Sequence, residues 1–178
     1  MNDLLNISKK QIFPIFLILI LVLSRLIPHP VNFTPVIAAA IMSGYFFKNI
    51  YLSFATLIIS MLIADAYIGF YDNMIFVYLS LILIAFVFYK FDIKLNFKNL
   101  FFYGFAGSLT FFIISNFGVW ALGSLGVNDV PYEKNLSGLV ECFVLALPFF
   151  GNTFLSTLIF SYLVIFIYNS SNKYFAFR

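Results

Sequence analysis

Charge is what this sequence has least of. Asp, Glu, Lys and Arg make up only 10% of its 178 residues, where a soluble domain carries about a quarter. The ten Lys and Arg stand singly or in short groups between apolar runs, and the net charge is +3. That excludes a nucleic-acid-binding patch. Cysteine is nearly absent too. With Cys142 alone, no disulfide can form within the chain, and the thiol reads as buried and inert. The one histidine, His29, has no second His, Cys or carboxylate nearby at metal-ligand spacing, so no metal site and no cofactor are expected. The chain also lacks a Walker motif, G-x-S-x-G, H-E-x-x-H and any Asp-rich phosphate-metal motif. Nothing here powers transport by itself. No nucleophile–base pair stands out, so no catalytic residue is assigned and the chain is not read as an enzyme.

Apolar residues are plentiful. They reach 63%, and the mean hydropathy is +1.03. One small core cannot bury that much, because a domain near this size still exposes roughly a third of its chain surface. The composition predicts an all-α polytopic membrane protein, residues 1–178 forming a single domain with the lipid bilayer as its main solvent. The many Phe and Tyr read as lipid-facing filler in preference to a ligand cage. Lys9 and Lys10 before an apolar run look like a signal peptide, but that run ends in Ser24-Arg25-Leu26-Ile27-Pro28 with no small-x-small site. A retained helix is expected.

A spanning helix needs about 20 residues. Six candidates follow, at about 12–27, 34–47, 50–70, 74–89, 99–121 and 149–168. Thr34-Pro35 looks like an N-cap followed by proline at the first helical position. Between the last two spans, Leu136, Leu139, Val140, Phe143, Val144 and Leu147 form one helical stripe. Residues 135–147 are too short to span. They read as a short extra amphipathic helix on the outer side, ended by Pro148, or else as an extension of the last helix through a proline kink. Six spans put Lys9, Lys10, Lys48, Lys90, Lys94, Lys98, Lys173 and Arg178 on one side, and only Arg25 and Lys134 on the other. The positive-inside rule makes the first side cytoplasmic, with both termini there and the chain in the cell (inner) membrane.

That topology gathers the remaining polar residues at the outer side. The second helix, with only about 13 residues, rises roughly 20 Å, short of a core of about 30 Å. The 28–33 loop must then dip into the membrane. Irregular backbone is tolerated at depth only under protein cover or beside water, so an outward-facing cavity is expected. Its candidate lining is Arg25, His29, Asn32, Asp65, Asn116, Trp120 and Asn152. Asp65 is the most informative, because a carboxylate about 7 Å deep must be paired or wet. It either meets ligand or pairs with Arg25. His29 reads as a ligand or an ordinary loop residue, Asn32 as a donor or a turn residue, and Asn116 and Trp120 as pocket wall or helix packing and an interfacial anchor. Asn152 faces the cavity or caps a helix. Ala39/Ser43 and Ala40/Gly44 are small-xxx-small pairs, serving either packing within the bundle or docking of a partner.

Four strings carry a resemblance: Arg25 to Val36, Ala64 to Phe70, Ser115 to Trp120, and Ala146 to Thr153. They resemble an uncharacterised family of small bacterial membrane proteins, catalogued as a domain of unknown function. More remotely, the layout is similar to the substrate-binding S components of energy-coupling factor (ECF) transporters. That resemblance implies six helices, a first loop folded over an outward pocket, and capture of a vitamin or small metabolite. An ATPase-driven ECF coupling module would then be the partner. S components usually carry A-x-x-x-A in the first helix; here 12–27 contains no alanine. The expected function is solute binding for uptake. The rival is a non-transporting scaffold or assembly protein whose polar cluster is structural. An intramembrane enzyme using Asp65 and His29 is the weakest reading.

Overall fold

The computed structural model describes residues 9–91, 93, 95–125 and 130–175, with side chains described from 11 to 170 in those stretches. Lys94 and Arg178, both used above as topology signals, lie outside the described residues. Six α-helices follow one another: α1 (Lys9–Leu23), continued by a 3-10 turn at Ser24–Leu26, α2 (Val36–Phe46), α3 (Ile50–Ile68), α4 (Met74–Lys90), α5 (Asn99–Leu122) and α6 (Leu136–Phe175). No β-strand occurs among the described residues.

The boundaries have local causes. Asn49 caps α3, its Oδ1 accepting from the amides of Tyr51 and Leu52 at 2.9 and 3.2 Å, which satisfies donors the first turn would leave orphaned. Asn135 does the same for α6 through the Gly138 amide at 2.8 Å. Gly123 ends α5 at φ +70°, in the left-handed region that glycine adopts without a Cβ clash. Proline 35, and not Thr34, is the N-cap of α2, and no side chain caps that end. The Thr34 carbonyl instead accepts from Ser156 Oγ of α6 at 3.0 Å.

α2 is the hub. It packs against all five other helices, and every residue from Val36 to Gly44 is buried. Of the two readings of the small pairs, the burial favours packing within the bundle over a docking face. Ala39, Ala40, Ser43 and Gly44 are enclosed within the chain, because small side chains let neighbouring backbones close in. Ser53 Oγ of α3 reaches Ser43 Oγ at 3.3 Å. Among the described residues the buried polar side chains are Ser and Thr, Asp65 excepted.

The expected separate outer helix is corrected. Residues 136–147 run without a break through Pro148 into α6, a helix of 40 residues, or about 60 Å. Its stripe points the opposite way from a soluble helix. Leu136, Val140, Val144 and Leu147 are exposed, while Gly138 and Cys142 between them are buried.

Elsewhere too the large apolar side chains face outward, including Phe16, Ile20, Ile63, Phe86, Phe102, Leu155 and Phe166. A soluble monomer rarely exposes contiguous apolar surface on that scale. Three helices are long and apolar enough to cross a membrane: Ile50–Ile68, Asn99–Leu122 and Leu136–Ser170. The other three, Gln11–Leu26, Val36–Phe46 and Met74–Lys90, are apolar but shorter.

Candidate functional site

One end of the bundle gathers the end of α1, the following loop, the start of α2, the end of α3, the start of α4, the end of α5 and the first half of α6. The 27–35 loop is anchored there. Asn32 stands at φ +59°, a left-handed conformation that Asn tolerates better than most residues. Its neighbour Val31 accepts a hydrogen bond from Asn152 Nδ2 at 3.0 Å. Together with Ser156–Thr34, this ties the loop to α6.

Beneath the loop lies a cavity of about 190 Å³. Asn32, Asn73 and Asn116 reach it from three separate segments, with Ser115 and Thr153 beside them. Phe111 and Phe112 of α5 and Phe149 and Phe150 of α6 form apolar wall. These rings extend a phenyl ladder between the two helices, with Phe112–Phe150 centroids 5.3 Å apart and Phe105–Phe154 5.5 Å. No ionisable side chain lines the cavity among the described residues.

Asn73 precedes α4 and locks it to α5. Its Nδ2 donates to the Ser115 carbonyl at 2.9 Å, and its buried Oδ1 has no hydrogen-bond partner. That oxygen and the Phe76 ring occupy the space a side chain at position 118 would need. Gly118→Ala is thus expected to push the Asn73 amide off Ser115 and reshape the cavity wall. Faster hydrogen exchange at the Phe76 and Val77 amides, which donate to the Asn73 carbonyl, would register the change. Asn116 donates from Nδ2 to the Phe112 carbonyl one turn back at 2.8 Å, and Cys142 Sγ contacts the Asn116 carbonyl at 3.4 Å. The thiol is buried, as expected.

Arg25 and Asp65 form a different site. The Arg25 guanidinium meets Asp65 Oδ1 at 2.7 Å, with the Arg side chain 11% and the Asp side chain 0% exposed. Tyr78 of α4 donates its hydroxyl to Asp65 Oδ2 at 2.7 Å, and Met61 Sδ lies 3.6 Å from Arg25 Nη1. Both carboxylate oxygens are thereby used, as a buried ion requires. The triad ties the end of α1 to α3 and α4. Tyr71, in the α3–α4 connection, borders it. Burial, reinforced by the Asp65 carboxylate and partly opposed by the Arg25 guanidinium, pushes its phenol up to about 12.

Of the seven residues expected to line one pocket, the structure brings Asn32 and Asn116 together. Arg25 and Asp65 pair with each other and do not line the cavity. His29 is exposed on the loop, with Nδ1 2.9 Å from the Pro30 carbonyl. Trp120 donates from Nε1 to the Glu133 carbonyl at 2.9 Å. Lys134 bonds the Trp120 carbonyl and sits 5.6 Å over its ring, so Trp120 anchors the α5–α6 connection. Asn152 holds the loop backbone and neither lines the cavity nor caps a helix. The sequence reasoning passed over Asn73, Ser115, Thr153 and Tyr78. Asn73 carried a signal, since an asparagine directly before an apolar helical run is a cap candidate.

Three of the four strings singled out in the sequence supply residues of the cavity or its loop, the 64–70 string lying outside the lining, and a family model matches across residues 5–176. The chain belongs to DUF6580, a family of unknown function. No curated protein and no solved structure matches. For a DUF6580 chain, then, the geometry above carries the functional reading.

Proposed function

We propose that this chain is a six-span membrane protein that holds a small uncharged solute in the asparagine-lined cavity, on the extracytoplasmic side, for uptake. The carrying observation is the convergence of Asn32, Asn73 and Asn116 on one hollow walled by phenyl rings. Amides offer both donors and acceptors, and aromatic walls with a few placed polar groups suit a small-molecule site. The volume of 190 Å³ corresponds to roughly six waters at about 30 Å³ each, and lies below the usual range for drug-sized ligands, about 300–1,000 Å³. A compact neutral amide, polyol or single-ring heterocycle fits these limits better than a carboxylated vitamin, which would find no cation in the wall. The side is assigned by the lysine distribution, with the termini cytoplasmic. The likeness to ECF S components rests on the sequence layout alone. The first helix offers no A-x-x-x-A, and the small pairs of α2 are enclosed, so a coupling module would have to engage another face.

Mass spectrometry of small molecules retained after gentle purification tests the proposal. Asn116→Ala is expected to weaken binding of the retained compound about tenfold, the equivalent of one hydrogen bond of about 1.4 kcal/mol. A folded protein that retains nothing, or binds equally well as Asn116→Ala and Asn32→Ala, would overturn it.

A scaffold role is the second reading. It is favoured by the number of expected site residues already engaged within the chain: Arg25, Asp65, Trp120 and Asn152. A stoichiometric membrane partner in mild detergent, with no co-purifying metabolite, would select it.

A further inference from the structure

At the opposite end of the bundle lies a second cavity, of about 420 Å³, walled by Gly44 to Lys48 at the end of α2 and by Phe88, Tyr89, Lys90 and Ile93 at the end of α4. Its charged lining residues are Lys48 and Lys90, both exposed. No ion pair engages either lysine among the described residues. Lys48 lies in the α2–α3 connection and Lys90 is the last residue of α4, and the α2–α4 packing brings them to one hollow. Aromatic side chains, Phe47 and Phe88 among them, form its floor. Outside it, Tyr51 and Phe91 are exposed, as rings at the headgroup level of a bilayer are.

We infer that this cavity seats the phosphate of an anionic phospholipid headgroup, with Lys48 and Lys90 as its cationic contacts. Two ammonium groups without an ion-pair partner among the described residues, over an aromatic floor, suit a phosphate oxyanion, and basic hollows between membrane helices on the cytoplasmic side take such headgroups. The volume admits a phosphoglycerol unit, and the apolar outer surfaces of the helices leave a place for the acyl chains. The inference rests on the membrane placement proposed above and not on the solute cavity. The helix ends offer the lysines a competing role, since cations also offset the partial negative charge of α2 and α4 carbonyls.

The test is native mass spectrometry of the full chain released from phosphatidylcholine bilayers doped with phosphatidylglycerol. Retention of phosphatidylglycerol over phosphatidylcholine is expected to fall roughly fivefold for each of Lys48→Gln and Lys90→Gln. It should be kept by the Arg substitutions, and remain unchanged in Lys134→Gln at the other end and in Asn116→Ala. Equal retention in the Lys48→Gln/Lys90→Gln double variant would overturn the site. Displacement of the lipid by inorganic phosphate would overturn the lipid assignment, leaving an oxyanion site for free phosphate.

Discussion

Asp65→Ala is expected to lower stability by about 3–5 kcal/mol, because removing one member of a buried pair strands the other charge. Arg25 would keep its guanidinium nearly enclosed with Met61 Sδ and the Tyr71 phenol beside it but no counter-charge, and the Tyr78 hydroxyl would lose its acceptor. Asp65→Asn should be nearly as damaging, since the amide preserves shape but not charge. The informative companion is Arg25→Met with Asp65→Leu. Replacing both partners by apolar residues is often neutral or stabilising by about 1–4 kcal/mol, so the double variant should recover most of the loss. Thermal unfolding in detergent, with a double-mutant cycle, measures this. Should Asp65→Ala also weaken solute binding and the double variant restore it, the pair would be a positioning device behind the cavity and not a ligand contact. Parental stability in Asp65→Ala would refute the pairing.

Gly44→Ala should cost about 1–3 kcal/mol through overpacking, despite a helix-propensity gain of up to about 1 kcal/mol. A Cβ at position 44 would enter the space of the Ala85 carbonyl oxygen and come within 2.8 Å of Phe88 Cβ. The obstacle is α4 backbone, so α2 and α4 must part. Gly107→Ala is the contrast. There the new atom would meet Ile37 Cγ2 at 3.2 Å and Ile41 Cδ1 at 3.4 Å, side-chain ends that can give a few tenths of an ångström. Its net effect should be near zero. Comparing the melting temperatures of the two variants checks the distinction. Equal values would mean that α4 does not press on α2 as closely as the geometry requires.

Helix positions were legible in the sequence because apolar runs are interrupted by lysines, prolines and asparagines, and α2 to α5 begin and end within about two residues of the expected places. The last helix was misread for an identifiable reason. Pro148 was taken as a terminator, yet a proline removes only one hydrogen bond from a long ladder, and packing against α5 carries the helix through it. The stripe at 136–147 was read as the apolar face of a separate amphipathic helix, with extension of the last helix as the alternative. Here the large apolar residues are the exposed ones, and Gly138 and Cys142 face the bundle. Polar residues could be assigned to one end from topology alone. Whether Asp65 met Arg25 or a solute depended on how α1 and α4 approach α3, which no local pattern encodes. Tyr78 lay hidden inside an apolar run for the same reason.

The enclosure of α2 bears on the order of biogenesis. An alanine-rich segment of 11 residues emerges from the ribosome before four of the helices that will surround it, and on its own it is too brief to reach across a bilayer. Its walls exist only once α4, α5 and α6 have been made. Helices made after it therefore complete the housing of α2.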